Sequence, residues 1–360
     1  MSADRLLTIN AGSSSLKFAT FRLEGAPVCE LPICELRGQL SGIGQGVAKF
    51  SGVDWPTDNL KLENHRDAVA LLIERLDVAA VGHRVVHGGT RFTAPVKIDN
   101  KTIAALRDLI PLAPLHQPHN VAAIEAVAAA LPNVQQVACF DTAFHATMPE
   151  VAARFALPER FWEKGIRRYG FHGLSYEAIL HRLGGDIPKR MIIAHLGNGA
   201  SMAAVENGRC IATTMGFSTL DGLVMGTRGG LLDPGVILHL LRSEGFDLPK
   251  LEKLLYHESG LLALGGTADM KTLLDSNQTQ AVEIYCERIA REVGSLTAAL
   301  RGLDALIFTG GVGENAAPIR DRVTEKLNWL GAIDIRVIPT DEELTIARHT
   351  QSILQGRLLG

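Results

Sequence analysis

Hydrophobic and polar positions along the chain form two patterns, short apolar runs and longer stretches with helical periodicity. The short runs predict strands at residues 5–9, 15–23, 78–86, 134–140, 190–196, 200–206, 305–310 and 335–339. The periodic stretches predict helices at residues 101–110, 120–131, 234–244, 280–303 and 341–358. Since the two kinds of element alternate, we predict a mixed α/β protein with helices on both faces of its sheets.

Two segments of the chain resemble each other. RLLTINAGSSSLKFATF starts at Arg5 and RMIIAHLGNGASMAAVE starts at Arg190. Each has an apolar strand that begins with arginine, a turn of glycine and small polar residues, and a second strand. Gly12 aligns with Gly197 in this comparison, and Ser13 aligns with Asn198. The repeat predicts two related lobes, each presenting a glycine-rich turn to a shared cleft.

Length and charge narrow the class of ligand. The chain has 360 residues, of which 46% are hydrophobic, and this length favours two domains over one. Lys and Arg number 36 against 39 Asp and Glu, which gives a formal net charge of -3. Neither a nucleic acid nor an anionic membrane is therefore the expected partner, and a small-molecule ligand is favoured.

The cysteines and the apolar runs indicate a location. The five cysteines form no Cys-x-x-Cys pair and have no metal-ligand spacing to histidine, which argues against a zinc site and a disulfide framework. The segment MSADRLLTIN has no apolar leader region, and no run approaches the roughly 18 apolar residues that span a bilayer. We predict a protein of the reducing cytoplasm.

The loop after the first strand, AGSSS, has two interpretations. It is either a polar hairpin turn, or a phosphate cradle in which backbone N–H groups face an anion and Lys17 adds a positive charge. It is not a Walker A loop, because G-x-x-x-x-G-K-[ST] is absent. The glycine-rich turns HLGNG (195–199) and FTGGVGEN (308–315) also follow apolar strands. Because α/β sheets bind ligands at strand ends, these turns favour a nucleotide site.

Four charged or titratable residues interrupt apolar or glycine-rich surroundings. Arg84 lies in VGHRVVHGG, Asp141 follows VACF, His172 lies between glycines in YGFHG, and Arg228 precedes two glycines in MGTRGG. A salt bridge would explain the arginine in the strand, and a helix N-cap would explain Asp141. The functional alternative is a substrate carboxylate or phosphate for Arg84 and a catalytic or metal-linked role for Asp141.

The motifs of this chain, read in order, resemble those of the acetate kinase family of acyl-phosphate-forming kinases. They are INAGSSSLKF, VGHRVVHGG, FDTAFH, YGFHG, HLGNGAS, MGTR with DPG, and FTGGVGEN. The similarity extends from about residue 5 to about residue 350. It implies an α/β fold of two actin-like (ribonuclease H-like) lobes with a nucleotide cleft between them. By this resemblance, the first lobe comprises residues 1–142 with the C-terminal helix 344–360, and the second, residues 143–343, carries most of the nucleotide site.

The reaction implied by the resemblance is reversible transfer of a phosphoryl group from ATP to acetate, with Mg²⁺ as the metal and Mn²⁺ as its alternative. Because a carboxylate is already ionised at pH 7, it needs no strong general base, and positioning and charge neutralisation supply most of the catalysis. A propionate kinase, or a kinase of mixed short-chain acids, is the alternative. A non-kinase actin-like ATPase is the rival from another class. The family also implies a homodimer.

The resemblance assigns catalytic roles to the four residues singled out above. Arg84 pairs with the substrate carboxylate and then with the transferred phosphoryl group, and Arg228 acts from the other lobe like an arginine finger. His172 donates a hydrogen bond to a phosphoryl oxygen, and Asp141 orients arginine or metal.

The resemblance also assigns residues of the first turn and of the last helix. Asn10 and Glu342 correspond to the metal-associated pair of the family, although Glu342 also suits a helix N-terminus as an acid. Lys17, Ser13 and Ser15 are expected to contact phosphates.

Three further segments are assigned to the nucleotide. The first segment is Asp269, Met270 and Lys271. The family usually has arginine where this chain has Lys271, and lysine keeps the charge but lacks the planar stacking surface of arginine. The other two segments are His195, Leu196, Gly197, Asn198 and Gly199 on the phosphate side, and Gly311, Val312, Gly313, Glu314 and Asn315 on the adenosine side.

By the same resemblance, the acyl pocket is lined by Val86, Leu115, Phe171 and Thr219. Thr219 occupies a position where proline is usual, and Gln117 replaces a common asparagine. A more polar wall changes the space around the methyl group, and one methylene is worth only about 1–3 kcal/mol in such a pocket. We therefore expect both acetate and propionate to be used.

Overall fold

The computed structural model describes residues 5–12, 14–22, 32–55, 60–276 and 278–356. Two compact units divide the chain. Unit 1 takes the residues up to Ala143 and those from Asp341 onward, and unit 2 is Phe144–Thr340. Of the predicted site residues, Ser13 lies outside the described residues.

The sheet of unit 1 has the strand order β4-β3-β2-β1-β5-β7-β6. Neighbours β1, β5 and β7 are parallel, and the remaining neighbours are antiparallel. The strands are β1 (Arg5–Ala11), β2 (Ser15–Arg22), β3 (Ile33–Ser41), β4 (Lys49–Ser51), β5 (Ala80–Val85), β6 (Val96–Lys97) and β7 (Gln135–Phe140).

Helices cover both faces of this sheet. The helices of unit 1 are α1 (His65–Arg75), α2 (Asn100–Asp108), α3 (Gln117–Ala130) and α14 (Glu342–Leu354), with a 3₁₀ turn at Ile110–Leu112. Leu7, Ile9 and Phe18 face α1 and α3 in one core cluster. The other side chains of β1 and β2, such as Leu6 and Phe21, face Ala347 of α14. The alternation along the strands therefore builds two apolar layers, as expected for a sheet buried on both sides.

The close approach of α14 depends on a glycine in β5. A Cβ atom at Gly82 would lie 2.3 Å from Oγ1 of Thr350 and 2.7 Å from Cγ2 of Ile346. Because Cβ atoms do not tolerate such distances, a larger residue would push the helix from the sheet. Asp341 caps the same helix, since its Oδ1 accepts a hydrogen bond from the Leu344 N–H at 3.0 Å.

Unit 2 contains a sheet in the order β10-β9-β8-β11-β12, in which β8, β11 and β12 are parallel. Its strands are β8 (Arg190–Leu196), β9 (Ala200–Glu206), β10 (Arg209–Thr213), β11 (Ala305–Thr309) and β12 (Asp334–Val337). Its helices are α4 (Glu150–Ala153), α5 (Glu159–Glu163), α6 (Gly173–Leu183), α7 (Pro234–Ser243), α8 (Leu248–His257), α9 (Gly260–Gly265), α10 (Met270–Asp275), α11 (Thr279–Leu300), α12 (Gly310–Asn315) and α13 (Ala317–Glu325). There are 3₁₀ turns at Ala143–Thr147 and Asn328–Leu330.

The repeat found in the sequence corresponds to two equivalent hairpins. β1 and β2 pair antiparallel, as do β8 and β9, and the first strand of each hairpin has a parallel neighbour on its other side. The strands predicted at 190–196 and 200–206 match β8 and β9 at both ends. In each unit the glycine-rich turn therefore follows a strand whose next neighbour is parallel.

Several elements were not predicted from the sequence pattern. The strands β3, β4 and β10 and the helices α1 and α6 belong to this group. β3 is largely solvent-accessible in its first half and lacks a regular apolar alternation. Helix α6 follows a histidine in a left-handed backbone conformation, which is not a usual helix start signal. None of the helices in the described ranges combines the length and apolarity needed to cross a bilayer.

Candidate active site

Three polar side chains meet at the carboxyl ends of three neighbouring parallel strands of unit 1. Asn10 lies near the end of β1, Arg84 near the end of β5, and Asp141 directly after β7. The register of the strands aligns them on one face of the sheet. Ligands of α/β proteins bind at this edge of a sheet, so the location suits a substrate site.

Arg84 is at the centre of this group. Its Nε and Nη2 donate hydrogen bonds to Oδ2 of Asp141 at 3.0 and 2.5 Å, and its Nη1 donates to Oδ1 of Asn10 at 3.0 Å. The side chains of Arg84 and Asp141 are 16% and 1% exposed. Burial opposes the charge of Arg84, but Asp141, Glu342 and Glu343 outweigh it, so the pKa of Arg84 is raised. Arg84 therefore stays charged in a fixed position.

Glu342, the first residue of α14, completes the group. Its Oε2 accepts a hydrogen bond from Nδ2 of Asn10 at 3.1 Å, although 332 positions separate the two residues in sequence. The start of the helix is fixed by Arg37, whose Nη2 donates to both carboxylate oxygens of Asp341 at 2.8 Å. The structure thus brings together the predicted metal-associated pair, and we call Asn10, Arg84, Asp141 and Glu342 the Arg84 cluster.

The oxygen atoms of the Arg84 cluster fit a hard divalent cation. In the described ranges, no three or more His, Cys, Asp or Glu side chains are grouped to hold a metal. Mg²⁺ usually takes one or two carboxylates, with waters and substrate phosphates as its other ligands. Oδ1 of Asn10 already accepts from Arg84, so Glu342 is the better direct ligand. Asn10 then orients that carboxylate through its amide N–H.

The loop between β1 and β2 lies beside this cluster. Lys17 pairs with Asn10 across the hairpin, and residues directly opposite each other on antiparallel strands share a face of the sheet. Lys17 is exposed, and its charge acts on Glu343 of α14. The loop is closed by the Gly12 N–H, which donates to the Ser15 carbonyl at 2.8 Å. Lys17 therefore lies on the face of the sheet that carries the Arg84 cluster.

His172 belongs to unit 2, where its position depends on buried hydroxyl groups. It precedes α6 with a left-handed φ of 61°, which is uncommon for a residue with a side chain. Its Nδ1 is 2.8 Å from Oγ of Ser201, and that hydroxyl is bonded to the Tyr176 hydroxyl. The ring stacks on His195 with centroids 4.3 Å apart, and Nδ1 of His195 is 2.8 Å from Oγ of Ser175. These contacts leave Nε2 of His172 facing the glycine-rich turn.

Arg228 approaches the same turn. A Cβ atom at Gly199 would lie 2.8 Å from Nη2 of Arg228 and 3.3 Å from Nε2 of His172, so a larger residue would displace these side chains. Nη1 of Arg228 donates to the Thr219 carbonyl at 2.8 Å. Burial lowers the pKa of Arg228 to about 10. Within the described part of the chain, no Asp or Glu side chain forms an ion pair with it. The guanidinium is thus a charged group that an anionic ligand would neutralise.

A cleft of about 570 Å³ in unit 2 is lined by eight of the thirteen residues in the three segments predicted to bind the nucleotide. We call it the nucleotide cleft. Leu261, Leu274 and Pro318 add an apolar wall that the sequence did not predict, and this wall suits a purine base. The predicted residues that line it are Gly197, Asn198, Asp269, Met270, Lys271, Gly311, Val312 and Asn315. These residues come from three separate segments, which the fold brings together.

The remaining predicted nucleotide residues are not among those that line the cleft. Glu314 turns its Oε1 to backbone N–H groups, accepting from Gly310 at 2.9 Å and from Thr340 at 3.1 Å. This contact supports the junction between β11 and α12. His195 is engaged with Ser175 as described above. Leu196 ends β8, Gly199 lies between β8 and β9, and Gly313 lies within α12.

The predicted acyl-pocket residues are divided between the units. Val86 is buried and Leu115 half-buried in unit 1, whereas Phe171 is buried and Thr219 half-buried in unit 2. Gln117, which we expected to change the acyl pocket, is fully buried. Its amide bonds to the backbone of His87 at both N–H and C=O, at 3.3 and 3.2 Å. It therefore anchors the backbone that follows Val86.

Three buried polar side chains, Ser201 and Tyr176 of unit 2 and Asn120 of unit 1, were not identified from the sequence. Ser201 lies within an ordinary strand pattern, and Tyr176 lies on α6, a helix that the sequence pattern did not predict. Their hydroxyls meet only because of the fold. Asn120 lies on the buried face of α3, where an amide needs hydrogen-bond partners. Its place in the apolar helix pattern was the one available clue.

Comparison with known proteins identifies relatives along nearly the full chain. The family model described as the Acetokinase family matches residues 5–336. An acetate kinase of Rhodopseudomonas palustris (strain TIE-1) is 48% identical over 98% of this chain and 99% of its own length. Such coverage and identity extend over both units.

Two solved structures give the same result for the fold. A propionate kinase from Francisella tularensis has a TM-score of 0.90 and 34% identity, covering 99% of this chain and 100% of that one. An acetate kinase of Porphyromonas gingivalis has a TM-score of 0.85 and 34% identity, covering 98% of this chain and 100% of that one. The fold is that of the actin-like ATPases, as expected from the motifs.

Proposed function

Since this chain belongs to the acetokinase family, we propose that the Arg84 cluster takes the acyl acceptor of its reaction and that unit 2 takes the nucleotide. The enzyme is a kinase that transfers a phosphoryl group from ATP to acetate. An acetate oxygen attacks the γ-phosphorus, the bond to the β,γ-bridging oxygen breaks, and ADP leaves. A non-kinase actin-like ATPase is no longer a competing interpretation.

The contrast between Arg84 and Arg228 supports the assignment of the acyl acceptor to the Arg84 cluster and of the nucleotide to unit 2. Arg84 is fixed by Asp141 and Asn10 at a strand-end site, which suits the recognition of a small carboxylate. Arg228 carries a charge with no carboxylate partner in the described residues, which suits an anion that arrives with the substrate. Charge that develops on the phosphoryl oxygens is stabilised best by such prearranged cations.

We also assign roles to His172 of unit 2 and to the metal. Because acetate is already ionised at pH 7, no base is needed, and we assign Nε2 of His172 to a phosphoryl oxygen as a hydrogen-bond donor. Glu342, oriented by Asn10, would hold Mg²⁺, which when bound neutralises phosphate charge. Mn²⁺ is the alternative metal. A homodimer and a cytoplasmic location stay predictions from the family resemblance.

Propionate is the second acceptor that we propose. Thr219 has a more polar side chain than the proline that is usual at this position, and its carbonyl accepts a hydrogen bond from Arg228. A pocket wall of this kind discriminates one methylene by only about 1–3 kcal/mol, roughly 10- to 200-fold in kcat/KM. We expect acetate to be preferred and propionate to be used at a lower rate.

A hydroxamate assay for acyl phosphate with acetate, propionate and butyrate at matched concentrations tests class and preference together. Arg84→Ala should lower kcat by about 10² or more, the scale of losing one transition-state charge contact. Arg107→Ala, which removes an exposed partner of Glu125 in the same unit, is the matched control and should keep the wild-type rate. Near-normal turnover by a folded Arg84→Ala protein would show that the assignment is wrong.

A further inference from the structure

Asn120 bridges two strands of unit 1 with its side-chain amide. It lies on α3 and is 1% exposed. Its Nδ2 donates a hydrogen bond to the Ala11 carbonyl at 3.0 Å, and its Oδ1 accepts one from the Val86 N–H at 3.0 Å. One side chain therefore bonds to the carbonyl of the last residue of β1 and to the N–H of the first residue after β5.

The bridge is located where the two strands separate. The β1–β5 register ends with the pair Ile9 and His83, whereas β5 and β7 stay paired as far as Val85 and Phe140. No pair of β1 and β5 residues follows Ile9 and His83 in this register. An amide side chain offers the same donor and acceptor as a peptide group, so Asn120 replaces one peptide unit in the gap.

The bridged backbone carries the residues of the proposed site. Ala11 directly follows Asn10, and Val86 is two residues beyond Arg84. The contact between Nη1 of Arg84 and Oδ1 of Asn10 spans the same opening, at 3.0 Å. Because α3 packs against both strands, the amide is supported by a rigid element, which is how precise sites are held.

We infer that Asn120 is a positioning residue for the acetate end of the reaction, setting the distance between Arg84 and Asn10 without touching substrate. This inference rests on the proposed function of the Arg84 cluster. Misplacement of a reacting group by about 1 Å costs on the order of 10²-fold in rate. Loss of the bridge should therefore act on acetate more than on ATP, since the nucleotide cleft is formed by residues of unit 2.

Asn120→Asp is the most informative variant. The carboxylate keeps the acceptor for the Val86 N–H but has no donor for the Ala11 carbonyl, whereas the protonated acid restores that donor. We expect kcat/KM for acetate to fall about tenfold or more at pH 8, with KM for ATP within about twofold of wild type. As the pH is lowered towards 6, the ratio of variant to wild-type kcat/KM should rise, because burial favours the protonated acid.

Thr102→Val is the matched control. Thr102 is also a buried polar residue of unit 1, but it lies on α2, and its Oγ1 donates to Oδ1 of Asp99 at 2.8 Å, a contact that involves neither β1 nor β5. The variant should lower stability, as seen by thermal unfolding, without a selective effect on acetate. Asn120→Ser, which removes the amide and leaves a small polar group, is the second variant if Asn120→Asp does not fold.

Arg84→Ala is assayed in the same experiment. It tests the proposed function of the Arg84 cluster separately from the positioning role of Asn120. If Arg84→Ala loses activity while folded Asn120→Asp and Asn120→Ser keep wild-type constants for acetate, Asn120 has no positioning role. An equal rise in KM for acetate and ATP, or a deficit of Asn120→Asp that does not change with pH, would also overturn the inference. If Arg84→Ala itself keeps its activity, the proposed function of the cluster is wrong, whatever Asn120 does.

Discussion

Arg228 is expected to lower the stability of the ligand-free enzyme, although the proposed reaction requires it. We predict that Arg228→Met, which keeps much of the side-chain volume, raises the free energy of unfolding while lowering kcat by about 10² or more. The reason is that the surroundings of this half-buried side chain oppose its charge. Its guanidinium has one hydrogen bond to the Thr219 carbonyl, and among the described residues no carboxylate is paired with it.

The magnitude follows from the pKa of this side chain. Burial lowers the pKa of Arg228 from its ordinary value of 12.5 to about 10. The cost of the charge is therefore present at every pH below 10, and it amounts to about 3 kcal/mol at about 1.4 kcal/mol per pKa unit. Arg228→Met also loses the hydrogen bond to the Thr219 carbonyl, which lowers the free energy of unfolding by about 1.5 kcal/mol. The free energy of unfolding of Arg228→Met should therefore exceed that of the wild type by about 1–2 kcal/mol. For a unit of this size, that difference raises Tm by about 2–8 °C.

Thermal unfolding of the ligand-free protein at pH 7 measures this effect, and Arg168→Met is the control. Arg168 is also a half-buried arginine of unit 2, but its Nη1 donates to Oδ2 of Asp221 at 3.0 Å and to the Thr214 carbonyl at 3.1 Å. Its removal leaves those groups unpaired, so Tm should fall. If Arg228→Met lowers Tm as Arg168→Met does, the charge of Arg228 is compensated in the free enzyme and our reasoning is refuted.

Two further predictions concern pH and the first glycine-rich loop. Burial lowers the pKa of His83, His87 and His145 to about 4 each. Their stabilisation is complete above the unfolded value near 6.5 and is lost as the pH falls towards 4, by about 1.4 kcal/mol per pH unit for each histidine. Urea unfolding at pH 7.5, 6 and 5 should show this decline, and a flat profile would contradict it. Lys17→Ala should raise KM for ATP more than KM for acetate in steady-state kinetics; equal changes would indicate a general role in folding.

The strand ends of the Arg84 cluster are the part of the site that sequence reasoning predicted best. Asn10, Arg84 and Asp141 each end or follow a short apolar run, and parallel strands bring such ends to one edge of a sheet. No pattern of this kind links Asn10 to Glu342, because their hydrogen bond joins a strand to a helix 332 positions later. The family resemblance supplied that pair, and geometry explains it.

The predicted elements were most accurate where the apolar pattern was strong. β8 and β9 match at both ends, and the long helix predicted at 280–303 corresponds to Thr279–Leu300. β3 was not predicted because consecutive side chains in the first half of the strand are exposed, so apolar and polar residues do not alternate there. Asn120 illustrates the limit for function. A buried amide in an apolar helix pattern indicates a hydrogen-bonded site, but its partners in β1 and β5 depend on tertiary packing.

The last helix has a consequence for the order of synthesis. α14 covers Leu6, Phe21 and Ala80 of unit 1 and supplies Glu342, yet about 200 residues of unit 2 precede it in the chain. A ribosome that adds about 5–20 residues per second needs about 10–40 s to translate that insert. For this interval the nascent first unit has an uncovered apolar sheet face and an Arg84 that lacks part of its carboxylate surroundings. The unit begun first is thus completed last, and a chain released early would carry no complete acceptor site.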